Sequence, residues 1–125
     1  MTEYFQRLKI SLLVYPIIKL FTIIREKAGD KDGYIRIRCE LLNNDIFEFS
    51  LYVEKKEDTF SIENYTYHWQ ARDGRLKYRW DNTPHHPEIS TFPDHVHRED
   101  DNVEESKIRE VSGILKFIEQ TMKNT

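Results

Sequence analysis

At 125 residues, with 38% hydrophobic, 33% charged and 13% aromatic residues, the chain suits one domain with enough large side chains to bury a core. Its formal net charge of −3 provides no overall basic field, which argues against strong non-specific nucleic-acid binding unless basic groups gather on one face. The single cysteine, Cys39, excludes an internal disulfide. The apolar-leaning stretch from Ile10 to Ile24 is interrupted by Ser11, Pro16, Lys19 and Thr22 and is too short to span a bilayer. The N-terminus lacks a basic segment followed by an unbroken apolar run, so a soluble cytoplasmic protein is the expectation.

Phe5, Leu8, Leu12 and Tyr15 recur at helical spacing and predict a first helix over Tyr4–Tyr15, with Thr2 as N-cap and Pro16 as its stop. Ile17–Glu26 is rich in β-branched residues and reads as a strand that ends in the turn Ala28-Gly29-Asp30-Lys31-Asp32-Gly33. From Tyr34 to Leu42 the pattern alternates, with Ile35, Ile37, Cys39 and Leu41 on one face and Arg36, Arg38 and Glu40 on the other. In that setting Cys39 reads as a small buried hydrophobe. After a turn at Asn43-Asn44-Asp45, Ile46–Glu54 answers with Phe47, Phe49, Leu51 and Val53 on its apolar face.

Phe60–Gln70 and Leu76–Asp81 form the next predicted pair around Asp73-Gly74, a two-residue hairpin signal. Such a turn sets Arg72 against Arg75, Gln70 against Lys77, Trp69 against Tyr78, His68 against Arg79 and Tyr67 against Trp80. Alternation then sorts Tyr67, Trp69, Tyr78 and Trp80 onto an aromatic face that belongs to the core, and His68, Gln70, Lys77 and Arg79 onto a polar one. Asn82–Asn102 shows no periodicity and predicts an ordered but irregular loop, with a solvated acidic run toward Glu105. Ser106 is placed to cap a last helix whose seam is Ile108, Val111, Leu115, Ile118 and Met122. The expected fold is a single α+β domain over residues 1–125. It has an antiparallel sheet of about five strands, with a helix from each chain end packed on its apolar face.

All five histidines, both tryptophans and three of the four prolines lie between Tyr67 and His97. Three kinds of chemistry compete for them. Metal-free phosphodiester cleavage needs a base for the 2′-hydroxyl, an acid for the leaving oxygen and a cation for the phosphorane. Histidines suit the first two roles, Arg79 or Arg38 the third, while Asp81 or Glu88 could orient an imidazole. A transition-metal site could instead use His95 and His97, which project the same way from an extended segment, with Asp94, Glu88 or His85 adding a ligand. Adjacent His85 and His86 diverge if extended, so only one of them could join, and the spacing matches no zinc-finger or metalloprotease pattern. In the third alternative the histidines only stack and hydrogen-bond within the loop.

His68-Trp69-Gln70, Asp73-Gly74-Arg75-Leu76, Arg79-Trp80-Asp81-Asn82, Pro84-His85-His86-Pro87-Glu88 and Thr91-Phe92-Pro93, followed by His95 and His97, resemble the signature of the TumE family. The likeness covers most of the chain and is densest from Tyr65 to His97. It departs at Asp94, where the family often carries a further histidine. The resemblance implies a toxin neutralised by a cognate antitoxin, often a helix-turn-helix protein. Ribonuclease is the usual activity suspected of such toxins.

Residues and resemblance together lead us to expect an endoribonuclease acting on RNA. His85 and His86 would perform acid–base work, Arg79 would stabilise charge and Asp81 would orient. His68, Arg36, Arg38 and Lys77 would hold the substrate, and His95 and His97 would belong to the same site or form a metal pair. No cofactor is required for that chemistry. A metal-dependent nuclease or phosphoesterase holding a divalent transition metal is one alternative, and a non-enzymatic protein-binding module is another. The strand Ile17–Glu26, at a sheet edge, could pair with a second copy or with an antitoxin strand.

Overall fold

The computed structural model describes residues 1–124. Helix α1 (Thr2–Val14) leads into β1 (Ile18–Ala28), β2 (Asp32–Leu41), β3 (Ile46–Lys56), β4 (Thr59–Gln70), β5 (Leu76–Asp81), β6 (His95–Arg98) and β7 (Val103–Glu105), and the chain closes with α2 (Val111–Lys123). The strands form one antiparallel meander, each bonded to the next in sequence order. The α+β class and the two terminal helices are as expected, but the sheet has seven strands rather than about five. Of the additional strands, β6 lies where an irregular loop was predicted and β7 where a solvated acidic run was. They are too short to show a period of their own, and β6 forms because β5 would otherwise present an open edge.

Alternation sends Ile35, Ile37, Cys39 and Leu41 of β2, Phe47, Phe49, Leu51 and Val53 of β3, and Tyr65, Tyr67 and Trp69 of β4 to one face. Trp80 and Val96 extend that face, and Phe5, Leu8 and Leu12 of α1 join Ile114, Leu115 and Ile118 of α2 in the same cluster. Gly33 sits close beneath α1, where a β-carbon would strike Met1, Phe5 and the Lys27 carbonyl. Helix ends differ slightly from expectation: Met1 rather than Thr2 is the N-cap of α1. Helix α2 starts after Glu110 while Ser106 instead accepts a turn bond from the Ile108 amide.

The β4–β5 turn corrects the predicted hairpin. Ala71 and Arg75 close a three-residue loop with Gly74 at φ +94°, a geometry that favours glycine. Gln70 therefore pairs with Leu76 rather than Lys77, and Lys77 is the extra residue of a bulge. The bulge restores the expected pairs Trp69–Tyr78, His68–Arg79 and Tyr67–Trp80. At the other side of the sheet, β1 is an edge strand that exposes Leu20 and Ile24. Among the described residues no helix is long and apolar enough to cross a membrane.

Candidate functional site

Strand registers align the polar face into adjacent rows. One runs Arg36, Ser50, Thr66, Asp81, His95; its neighbour runs Arg38, Glu48, His68, Arg79, His97. Residues two apart on a strand share a face, so Arg79 and Asp81 of β5 meet His95 and His97 of β6 as a compact block. His86 reaches over from the β5–β6 loop, its ring centroid 5.0 Å from that of His95 and 5.6 Å from that of His97. These side chains line a depression of about 380 Å3, with Thr66, Thr83 and His85 completing its wall.

The hydrogen bonds around the cluster assign its protons. His95 is buried, and its Nδ1 lies 2.8 Å from the Pro93 carbonyl oxygen, which only accepts. Nδ1 thus carries a hydrogen. His86 follows the same pattern, with Nδ1 3.1 Å from the Glu88 carboxylate. His97 Nε2 lies 3.1 Å from Nη2 of Arg79, a group that only donates, so this nitrogen offers a lone pair. Yet the Nε2 atoms of His95 and His97 are 3.0 Å apart. His95 Nε2 also lies 3.0 Å from Asp81 Oδ1, which only accepts, so a proton or a cation on that nitrogen joins His95 to both partners.

Asp81 balances the positive charge nearby. Its Oδ1 is 3.0 Å from His95 Nε2 and also accepts the Thr83 amide at 3.0 Å, while Oδ2 is 3.3 Å from Arg79 Nε and 3.6 Å from His97 Nε2. Arg79 Nε is nevertheless buried without an aligned hydrogen bond, so its contact with Asp81 is one of charge rather than directed bonding. Burial pushes the His97 imidazole below its ordinary pKa and the Arg79 guanidinium adds to the effect, with Asp81 opposing it. His68 is likewise lowered, chiefly by burial, with the Arg79 charge contributing and a bond to Gln70 working the other way.

Of the side chains singled out in the sequence, Arg79, Asp81, His86, His95 and His97 converge. His85 is exposed and lines the same depression. His68 pairs across β4–β5 with Arg79, its Nε2 3.1 Å from Gln70 Oε1, and belongs to an adjoining groove with Arg36 and Arg38 that shares Thr66 with the histidine cleft. Glu48 lies 2.9 Å from Arg36 Nε and 3.5 Å from Arg38 Nη1, so the expected basic surface is partly neutralised at that end. Lys77 does not join the polar face. Its place in the bulge turns it to Asp45 Oδ2, 2.7 Å away, and over the Trp69 ring. Asp94 is engaged by Arg109 and Tyr65. Sequence reasoning overlooked Thr66, which its two-residue spacing from His68 could have indicated, and Arg109, for which no local signal exists.

A meander sheet beneath two helices, with imidazoles, a guanidinium and a carboxylate gathered on its open face, defines a small α+β domain that presents polar chemistry. The model of the family described as Toxin TumE matches residues 7–123, and the chain belongs to that toxin family. Membership implies a cognate antitoxin as partner. No curated protein and no solved structure matches the chain.

Proposed function

We propose that this toxin cleaves RNA in the cleft formed by Arg79, Asp81, His86, His95 and His97. The supporting observation is the meeting of three imidazoles, a guanidinium and a carboxylate in one open depression. His97, held neutral near pH 7 by burial and by Arg79, takes the 2′-hydroxyl proton as O2′ attacks phosphorus. His86, at the cleft mouth with Glu88 behind it, acts in its imidazolium form and gives its Nε2 proton to the departing 5′-oxygen. Arg79 offsets the charge that builds on the phosphorane, and Asp81 holds the flanking imidazoles in place. The products are a 2′,3′-cyclic phosphate and a 5′-hydroxyl.

His68, Arg36 and Arg38 line the adjoining groove along which a single strand would run, and His85 at the rim can contact a phosphate. The unpaired edge of β1, with Leu20 and Ile24 exposed, suits an added antitoxin strand. The deciding experiment incubates purified protein with end-labelled single-stranded RNA and its DNA counterpart, with and without EDTA, beside His97→Ala and His86→Ala. Cleavage of RNA alone, resistant to EDTA and lost in both folded variants, is the expected result. A folded, cell-toxic wild type that leaves RNA intact would falsify it.

A further inference from the structure

We infer that His86, His95 and His97 bind one divalent transition-metal ion of the zinc class through their Nε2 atoms, whether or not the protein cleaves RNA. Their ligand nitrogens lie within 4.8 Å of one another. Nitrogens held at about 2.0–2.1 Å from a tetrahedral ion stand roughly 3.3 Å apart. His95 and His97, with Nε2 atoms 3.0 Å apart, are already close to that spacing. His86 comes from a loop with exposed neighbours and can close the remaining distance by a small rotation.

The outer contacts match what metal-binding imidazoles require. A ligating histidine usually donates its other ring N–H to a carboxylate or a backbone carbonyl, which fixes the tautomer and aims the lone pair. His86 has Glu88 in that role and His95 has the Pro93 carbonyl. An ion between His95 and His97 takes the place of the proton that their 3.0 Å Nε2 contact otherwise needs. Asp81 supplies an adjacent negative charge, and the depression leaves the fourth position open to water. Imidazole donors suit zinc, copper, nickel or iron better than magnesium or calcium.

Arg79 is the internal competitor. Its Nη2 occupies the His97 lone pair, so an arriving ion displaces that bond while Arg79 keeps Asp81 as its ionic partner. Removing the guanidinium should therefore tighten metal binding, although the same residue serves phosphate chemistry in the proposed cleavage.

The test uses untagged protein, stripped with EDTA and dialysed, titrated with Zn2+ in a calorimeter and with Co2+ followed by visible absorption. One ion per chain and the intense bands of tetrahedral cobalt are expected. His86→Gln and His97→Gln should each weaken binding at least about tenfold, and Arg79→Gln should strengthen it. His95 is buried and its variant could fail to fold, so the decision rests on His86 and His97 variants with unchanged circular dichroism. Absence of binding by the wild type, or equal binding by a His86→Gln/His97→Gln double variant, would overturn the site. Both readouts are taken without RNA, so a failure of the ribonuclease proposal leaves them intact. Because the ion and the 2′-hydroxyl proton compete for the same His97 nitrogen, cleavage proceeds on the metal-free protein and its resistance to EDTA does not count against the site.

Discussion

Asp81 and Asp94 each lie beside an arginine, yet their surroundings differ in kind. Asp94 belongs to a closed circuit. It accepts the Tyr65 hydroxyl at 2.6 Å and Arg109 Nη1 at 2.8 Å, while Arg109 Nη2 donates to the Ile62 carbonyl at 2.9 Å. The Arg109 carbonyl in turn accepts the Tyr67 hydroxyl at 2.8 Å. Donors meet acceptors throughout, and the circuit fastens the histidine loop and the approach to α2 onto β4. Around Asp81 the inventory does not close: His95 and His97 meet Nε2 to Nε2 and need a proton or an ion between them, and Arg79 Nε has no aligned partner. A satisfied network holds structure, whereas an unsatisfied one retains affinity for a proton, a phosphate or an ion.

The largest expected effect breaks the open network. His97→Ala and Arg79→Ala should each lower RNA cleavage by about 10²–10⁴-fold, with melting temperature little changed; unchanged cleavage would place the chemistry elsewhere. Next comes the closed circuit. Asp94→Ala strands Arg109 and the Tyr65 hydroxyl and should cost about 2–3 kcal/mol, moderated by the partial exposure of Arg109, or on the order of 10 °C in melting temperature. Asp81→Asn keeps an oxygen for the Thr83 amide and should cost about 1 kcal/mol or less. Equal losses from the two aspartates in thermal unfolding would erase the distinction between the networks.

A smaller effect concerns acid. His68 and His97 have lowered pKa values in the folded protein, so below the ordinary histidine value the unfolded chain binds more protons than the folded one. Stability should therefore rise with pH through that range and fall as the solution is acidified from neutrality. Urea midpoints measured across pH 5 to 7 would show it, and His68→Gln should flatten the slope. A slope of opposite sign would refute the assigned direction. The smallest effect is at Cys39, whose thiol is pushed up to about 12 by burial in the apolar face. Iodoacetamide should leave it unmodified in the native protein at neutral pH and label it after denaturation, as mass spectrometry can record.

Much of this arrangement was legible in local pattern. Alternation in β2 and β3 identified the buried residues of the central strands, and the aromatic pairs Trp69–Tyr78 and Tyr67–Trp80 were correct because same-face packing selects a register. The two-residue spacing of His95 and His97 placed their imidazoles on one side. Other features depended on partners distant in the chain. β6 and β7 are too short to announce themselves and exist by pairing with an edge. The bulge at Lys77 comes from a turn one residue longer than expected, and it moved that lysine to Asp45. His86 rather than His85 meets His95 and His97 because of how the loop folds back. By itself the sequence determined the alternating faces, the core and the family signature, since periodicity and residue chemistry are local. Only the tertiary structure decided which imidazoles meet and which carboxylate lies among them, because those depend on distances between residues that no local pattern encodes.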